Sequence, residues 1–214
     1  MLTKEQIKEN KKRYISLLNK VKREGVSNLI ESIEGTDFFT APASTVYHNN
    51  FEGGLCAHSL NVYDNLVTLV NNFLPGKFSE ESLILVALCH DISKANYYEE
   101  YVQNVKFYND SGKQFDNVGK YDWVGVKKYK VKDVELRTVA GEHGFNSYYI
   151  VDSFIKLNPA ETLAIVHHHM GAGEPRMPAD ISEIYDRYPL APMLHMADLM
   201  ATYISENKYF EQSN

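Results

Sequence analysis

Three short stretches of this chain carry residue types that can do chemistry. The first is Asp198, in Met193-Leu194-His195-Met196-Ala197-Asp198-Leu199-Met200-Ala201. This segment is apolar nearly all round, which predicts a buried helix. A buried carboxylate is costly unless it is paired or bound to a cation. No basic residue lies within a turn of Asp198 except His195, so its partner is either a distant Lys or Arg or a metal ion. The second stretch is His90-Asp91, which closes the apolar run Leu83–Cys89. One side chain offers a nitrogen ligand and the other a hard oxygen ligand. Adjacent helical residues diverge by about 100°, so at a helix end they can approach one ion from two sides. A satisfied helix terminus would look the same. The third is His58, beside the apolar stripe of a helix that follows Gly53-Gly54-Leu55; a hydrogen-bonded core histidine is the bland reading.

The elements that must position these residues are helical. Thr3 and Gln6 form a capping box for a helix to about Glu24, stopped by Gly25. Its lysines (Lys4, Lys8, Lys11, Lys12, Lys20, Lys22) are interleaved with acids, as on a solvated face. A short helix follows over about Ser27 to Glu34. Leu55, Ser59, Val62, Leu66, Leu69 and Phe73 recur at helical spacing and predict one inward face over about 55–73. Ser79-Glu80-Glu81 reads as a cap with acids in the first turn, so the run through Asp91 is a buried helix. Between about 97 and 135 the texture turns aromatic and β-branched around the turn signal Asn109-Asp110-Ser111-Gly112, which predicts one or two inserted β-hairpins. Helices resume over about 144–157, and Asn158-Pro159-Ala160-Glu161 starts another that runs to His169. A loop containing Pro175, Pro178 and Pro189 precedes a last helix over about 192–205.

Composition bounds the class. A chain of 214 residues, 44% hydrophobic and 23% charged, fits one globular domain with a core that needs no staples. A net charge of −6 supplies no global field for nucleic acid or anionic membranes, so nucleic acid is not favoured as a partner. Cys56 and Cys89 sit in apolar segments and read as buried thiols of a reducing compartment. No signal core is visible near Met1, and the longest apolar run is seven residues, too short for a membrane span. The expectation is a cytoplasmic protein.

Taken in order, Gly53-Gly54-Leu55, His58, Leu88-Cys89-His90-Asp91-Ile92-Ser93-Lys94 and the distant Asp198 resemble the His-Asp (HD) superfamily of metal-dependent phosphohydrolases, and in particular its small bacterial-type members. The likeness covers His48 to about Ser205, with Ser93 where the family usually has Gly. It implies a mostly α helical bundle as one HD domain over 1–214. Residues 1–40 would be a helical extension, 41–206 the core and 97–135 the small β insertion. It also implies His58, His90, Asp91 and Asp198 as metal ligands. A subset of the family with two ions adds His143 and, at the histidine run His167-His168-His169, His168 as ligand and His169 as ligand or substrate contact. The extra histidine leaves that registration open.

The implied reaction is hydrolysis of a phosphomonoester or phosphodiester of a nucleotide-like substrate by a metal-activated hydroxide, with Asp91 bridging two ions. So many nitrogens suit manganese, iron, nickel or zinc better than magnesium. Lys94 would offset charge on the phosphoryl oxygens. His48 would contact the phosphate or protonate the leaving group, and Arg176 is a further candidate phosphate contact. The aromatic residues of the insertion (Tyr97, Tyr98, Tyr101, Phe107, Tyr108, Trp123, Tyr129) either stack on a base or simply pack the hairpin. Open alternatives are a 3′–5′ exonuclease or cyclic-nucleotide phosphodiesterase, a catalytically silent nucleotide-binding protein, and a di-iron oxygenase.

Overall fold

The computed structural model describes residues 1–46, 49–169 and 178–206. Within them the chain forms eight α-helices and a small antiparallel sheet, so it is mostly α with one β insertion. The helices are α1 (Lys4–Leu18), α2 (Val26–Glu34), α3 (Gly54–Phe73), α4 (Glu80–Cys89), α5 (His143–Asp152), α6 (Pro159–Val166), α7 (Pro178–Arg187) and α8 (Leu190–Met200).

The expected start signals act as such. Thr3 accepts from the Gln6 N–H while the Gln6 side chain accepts from the Thr3 N–H. Ser79 accepts from the Ser82 N–H at 3.1 Å. Asn158 accepts from the Glu161 N–H at 3.0 Å, and Glu161 accepts in return from the Asn158 N–H at 2.9 Å. Each reciprocal pair satisfies donors that the first turn leaves over.

Helix α3 runs through the bundle, with α1, α4 and α8 packed against it, and α6 packs on both α4 and α8. Helix α4 explains its own position. Ser82 through Cys89 are all buried, so no face is left for water. Its large aliphatic side chains contribute about 1.5–3 kcal/mol each. Helices α1 and α2 belong to the same apolar cluster through Tyr14, Leu17, Leu18, Leu29 and Ile33. Tyr14 also donates its hydroxyl to the Leu88 carbonyl at 2.8 Å, which ties α1 to the end of α4 just ahead of His90.

Four expectations need correction. Helix α1 ends at Leu18, and Gly25 takes a left-handed φ of 88° as the entry to α2, not the exit of α1. Phe73 is 68% exposed, because the last turn of α3 runs past the core that holds Leu55, Val62, Leu66 and Leu69. Helix α6 ends at Val166, with His167 as its cap, instead of running to His169. The Pro-containing loop holds α7: Pro178 opens that helix, and proline is well suited to a first turn whose N–H has no partner in any case.

The insertion is one hairpin with a short third strand. Strand β1 (Tyr98–Tyr108) pairs with β3 (Lys120–Val131) from Tyr98↔Val131 to Tyr108↔Tyr121, and β2 (Gln114–Phe115) adds to the far edge of β3. Asn109 closes the predicted turn by accepting from the Ser111 N–H. Most of the hairpin is exposed. Tyr98 and Tyr121 are buried, whereas Phe107, Tyr108 and Trp123 (52%) face solvent, so packing accounts for only some of its aromatic residues. No helix among the described residues is long and apolar enough to cross a membrane.

Candidate metal centre

Four places in the bundle converge on one buried cluster: the first turns of α3, the end of α4, the facing ends of α5 and α6, and the last turn of α8. His58 stands on α3, whose start is set by tight chain packing. A Cβ on Gly54 would come within 2.0 Å of the Asn49 carbonyl oxygen, so the loop before α3 can lie on the helix only if that residue is glycine. His90 caps α4, and Asp91 leaves the helix with φ −113° and ψ 15°. A 3-10 turn over Ile92–Lys94 then folds the chain back, bringing Lys94 Nζ to 2.7 Å from Asp91 Oδ2.

His143 is the first residue of α5, and His168 lies just past the end of α6. These ends meet because of Gly144: a Cβ there would stand 2.6 Å from the Val166 carbonyl oxygen. Ser93 holds the His143 end in place. Its hydroxyl donates to the His143 carbonyl at 2.9 Å and accepts from Ser147 at 3.0 Å. His195 of α8 donates through Nδ1 to the His168 carbonyl at 2.6 Å.

The donor atoms fall into two sets that share carboxylates. Asp91 Oδ2 lies 3.4 Å from His90 Nε2 and 3.8 Å from His58 Nε2. Asp91 Oδ1 lies 3.4 Å from His168 Nε2 and 3.7 Å from His143 Nε2. Asp198 spans the same gap, with Oδ1 3.0 Å from His58 Nε2 and Oδ2 3.9 Å from His169 Nε2. His58, His90 and Asp91 form one group able to hold an ion; Asp91, His143, His168 and His169 form another. His90, His168 and Asp198 form a third that links them.

The chemistry of this donor set fits a metal. Asp91 Oδ1, His143 Nε2 and His168 Nε2 are buried and have no hydrogen-bond partner among the described residues, which costs free energy unless something else meets them. The rings of His90 and His168 are fixed from behind, because Nδ1 of each faces a carbonyl oxygen, Ala87 at 2.8 Å and Ile165 at 2.6 Å. A carbonyl only accepts, so Nδ1 carries the proton and Nε2 presents its lone pair to the cluster. Ligand atoms about 2.1 Å from an ion and at right angles to each other stand about 3 Å apart, close to the shorter separations seen here.

Electrostatics point the same way. Burial would raise the Asp91 carboxyl, but Lys94 and His90 beside it hold it well below the usual carboxylate range. Burial likewise opposes ionisation of Asp198, and His58 outweighs it. Burial disfavours charge on His58, yet the Glu206 and Asp198 carboxylates on its two nitrogens raise it to about 10. Burial of Lys94 is overcome by Asp91, which raises it to about 12. Burial pushes His143 down to about 2 and His169 down to about 4, so both are neutral imidazoles able to ligate. Three carboxylates, those of Asp91, Asp198 and Glu206, thus face two buried cations, the Lys94 ammonium and a His58 imidazolium whose proton an incoming metal ion would displace, a balance still short of one positive charge.

The cluster has a closed side and an open side. The His58, His90, His168 and Asp91 side chains are no more than 1% exposed, whereas His143 and His169 are 32% and 36% exposed. His167 belongs to none of the ligand groups found among the described residues. His48 and Arg176, both expected to contact substrate, lie outside the described residues. One participant had no signal in the sequence: Glu206, whose Oε1 is 3.0 Å from His58 Nδ1.

In comparisons with known proteins, no family model, curated protein or solved structure matches this chain.

Proposed function

We propose that this chain is a metal-dependent phosphohydrolase of the HD superfamily, acting on a phosphomonoester or phosphodiester of a nucleotide-like substrate. One observation carries the reading: Asp91 turns one carboxylate oxygen to His58 and His90 and the other to His143 and His168. A carboxylate so placed could serve two adjacent ions. His58, His90, Asp91 and Asp198 would hold one, and Asp91, His143, His168 and His169 the other. The nitrogen-rich set favours manganese, iron, nickel or zinc over magnesium. When bound, such a pair supplies a water of lowered pKa and neutralises charge on phosphoryl oxygens.

The protein's own groups do the rest. Substrate approaches from the His143 and His169 side, where the cluster is open. Lys94 holds its ammonium at the bridge through one hydrogen bond to Asp91, its only hydrogen bond among the described residues. Its remaining N–H bonds are available to a phosphoryl oxygen whose charge grows in the transition state. Bonds to Ala87 and Ile165 keep His90 and His168 from turning, so the donors need little reorganisation.

The test is metal analysis of the purified protein followed by a phosphoester screen. Its substrates are p-nitrophenyl phosphate, bis-p-nitrophenyl phosphate, cyclic nucleotides and short single strands. The expected result is about two transition-metal ions per chain and turnover that a chelator abolishes. Turnover confined to single strands or cyclic nucleotides would move the substrate class to an exonuclease or cyclic-nucleotide phosphodiesterase. Two bound ions, tight nucleotide binding and no turnover at all would overturn the enzyme reading.

A further inference from the structure

Glu206 is not among the residues that face the proposed ions, yet it is built into the site. Its side chain is only 2% exposed. Oε1 accepts from His58 Nδ1 at 3.0 Å and from Asn61 Nδ2 at 2.9 Å, while the buried Oε2 has no hydrogen-bond partner among the described residues. A side chain there for packing alone would be cheaper as an apolar one, since a buried carboxylate carries a large desolvation cost. His90 and His168 are backed by neutral carbonyls, whereas His58 has a carboxylate at its Nδ1.

The backbone is bent to make this contact. Eight residues of regular α-helix would carry Glu206 about 80° around the axis from Asp198. After Met200 the helix instead widens into a π turn over Ala201–Ser205, and the Glu206 N–H reaches back five residues to the Ala201 carbonyl at 2.9 Å. The wide turn absorbs one residue. Glu206 therefore stands where the seventh residue of a regular helix would, about 20° from Asp198. Both carboxylates then meet the same ring, Asp198 at Nε2 and Glu206 at Nδ1.

From this geometry we infer that Glu206 is the positioning residue of His58, and that it makes the His58, His90, Asp91 and Asp198 set the tighter of the two metal sites. A carboxylate behind a ligating imidazole fixes the ring and strengthens the opposite nitrogen as a donor. The inference rests on the metal-centre reading given above.

The experiment titrates the full-length, metal-stripped protein with Mn²⁺ by calorimetry. It compares wild type with Glu206→Gln, which preserves shape and removes charge, and Glu206→Asp, which keeps charge but withdraws it by one methylene. Wild type is expected to show two classes of site. In Glu206→Gln the tighter class weakens about 10- to 100-fold while the weaker class stays within about threefold. Glu206→Asp falls between them, and it carries the test should the Gln variant fail to fold, which circular dichroism of the metal-free protein reports. An unchanged tighter class in both variants overturns the inference and leaves the metal centre standing. Equal weakening of both classes overturns it too, because Glu206 would then support the helix as a whole. A wild type that takes up no Mn²⁺ overturns the metal-centre reading, and the role of Glu206 falls with it.

Discussion

Lys94 Nζ lies 2.7 Å from Asp91 Oδ2, the oxygen that also faces His58 and His90. The ammonium would therefore compete with a cation for that oxygen, and on the proposed function its other N–H bonds would serve a substrate. Replacing Lys94 by Met is expected to lower kcat by about 100-fold, the usual effect of removing one preorganised donor. Affinity for the first Mn²⁺ should be retained or improved. Kinetics and calorimetry on the same preparation check this, and loss of metal binding would show that Lys94 builds the site and does not act on substrate.

Asp91 is the joint between the two donor sets. Asp91→Ala should bring metal content from about two ions per chain to less than one, measured by mass spectrometry of the elements after dialysis. Asp198→Ala should spare an ion at His143, His168 and His169 better than the other, because Asp198 stands 3.0 Å from His58 Nε2 but 3.9 Å from His169 Nε2. Two ions retained in Asp91→Ala would refute the bridge.

Gly144 has no room for a side chain against the Val166 carbonyl. Gly144→Val must push α5 off α6 and carry His143 with it. The expected cost is about 1–3 kcal/mol of stability, read by denaturant unfolding of the metal-free protein. Occupancy of the second site should fall more than that of the first. Equal loss at both sites would indicate general unfolding.

Acid stability should depend on Glu161. Its carboxylate is fully buried and accepts from Arg23, at 2.6 and 2.7 Å, from Ser82 at 2.6 Å and from the Asn158 N–H. Burial would raise its pKa, but these donors hold it below the ordinary value. A depressed folded value means that the stabilisation is complete above the unfolded-state pKa of about 4.3 and is lost as pH falls through the folded value. Glu161→Gln should therefore cost about 3 kcal/mol at pH 7, and the gap to wild type should narrow below about pH 4. A gap that stays constant down to pH 3 would rule out the ion pair as its source.

The donor set was legible in the sequence where a residue type contradicted its surroundings. Asp198 stands as an acid in an apolar helix, and His90-Asp91 ends a run with no polar face. Those contradictions hold whatever the exact helix limits are, and so they survived errors such as Phe73, where a correct period was carried one turn past the core. Glu206 left no such trace, because its place depends on one widened turn that shifts every later residue around the axis. Helix α7 was hidden for a different reason. Proline breaks a helix from within and favours one from its first turn, and Pro178 does the second. The hairpin was legible from its β-branched texture and its Asn109 turn, but that texture does not reveal that most of both faces would stay exposed.

The hairpin begins and ends in one rung, Tyr98 opposite Val131, four residues beyond Lys94. Chain that leaves and returns at the same point can be lengthened, shortened or exchanged without altering the path of the helices on either side. Descendants of this sequence could accept insertions there that leave the buried histidines where they are. That rung is a seam along which the protein can diverge.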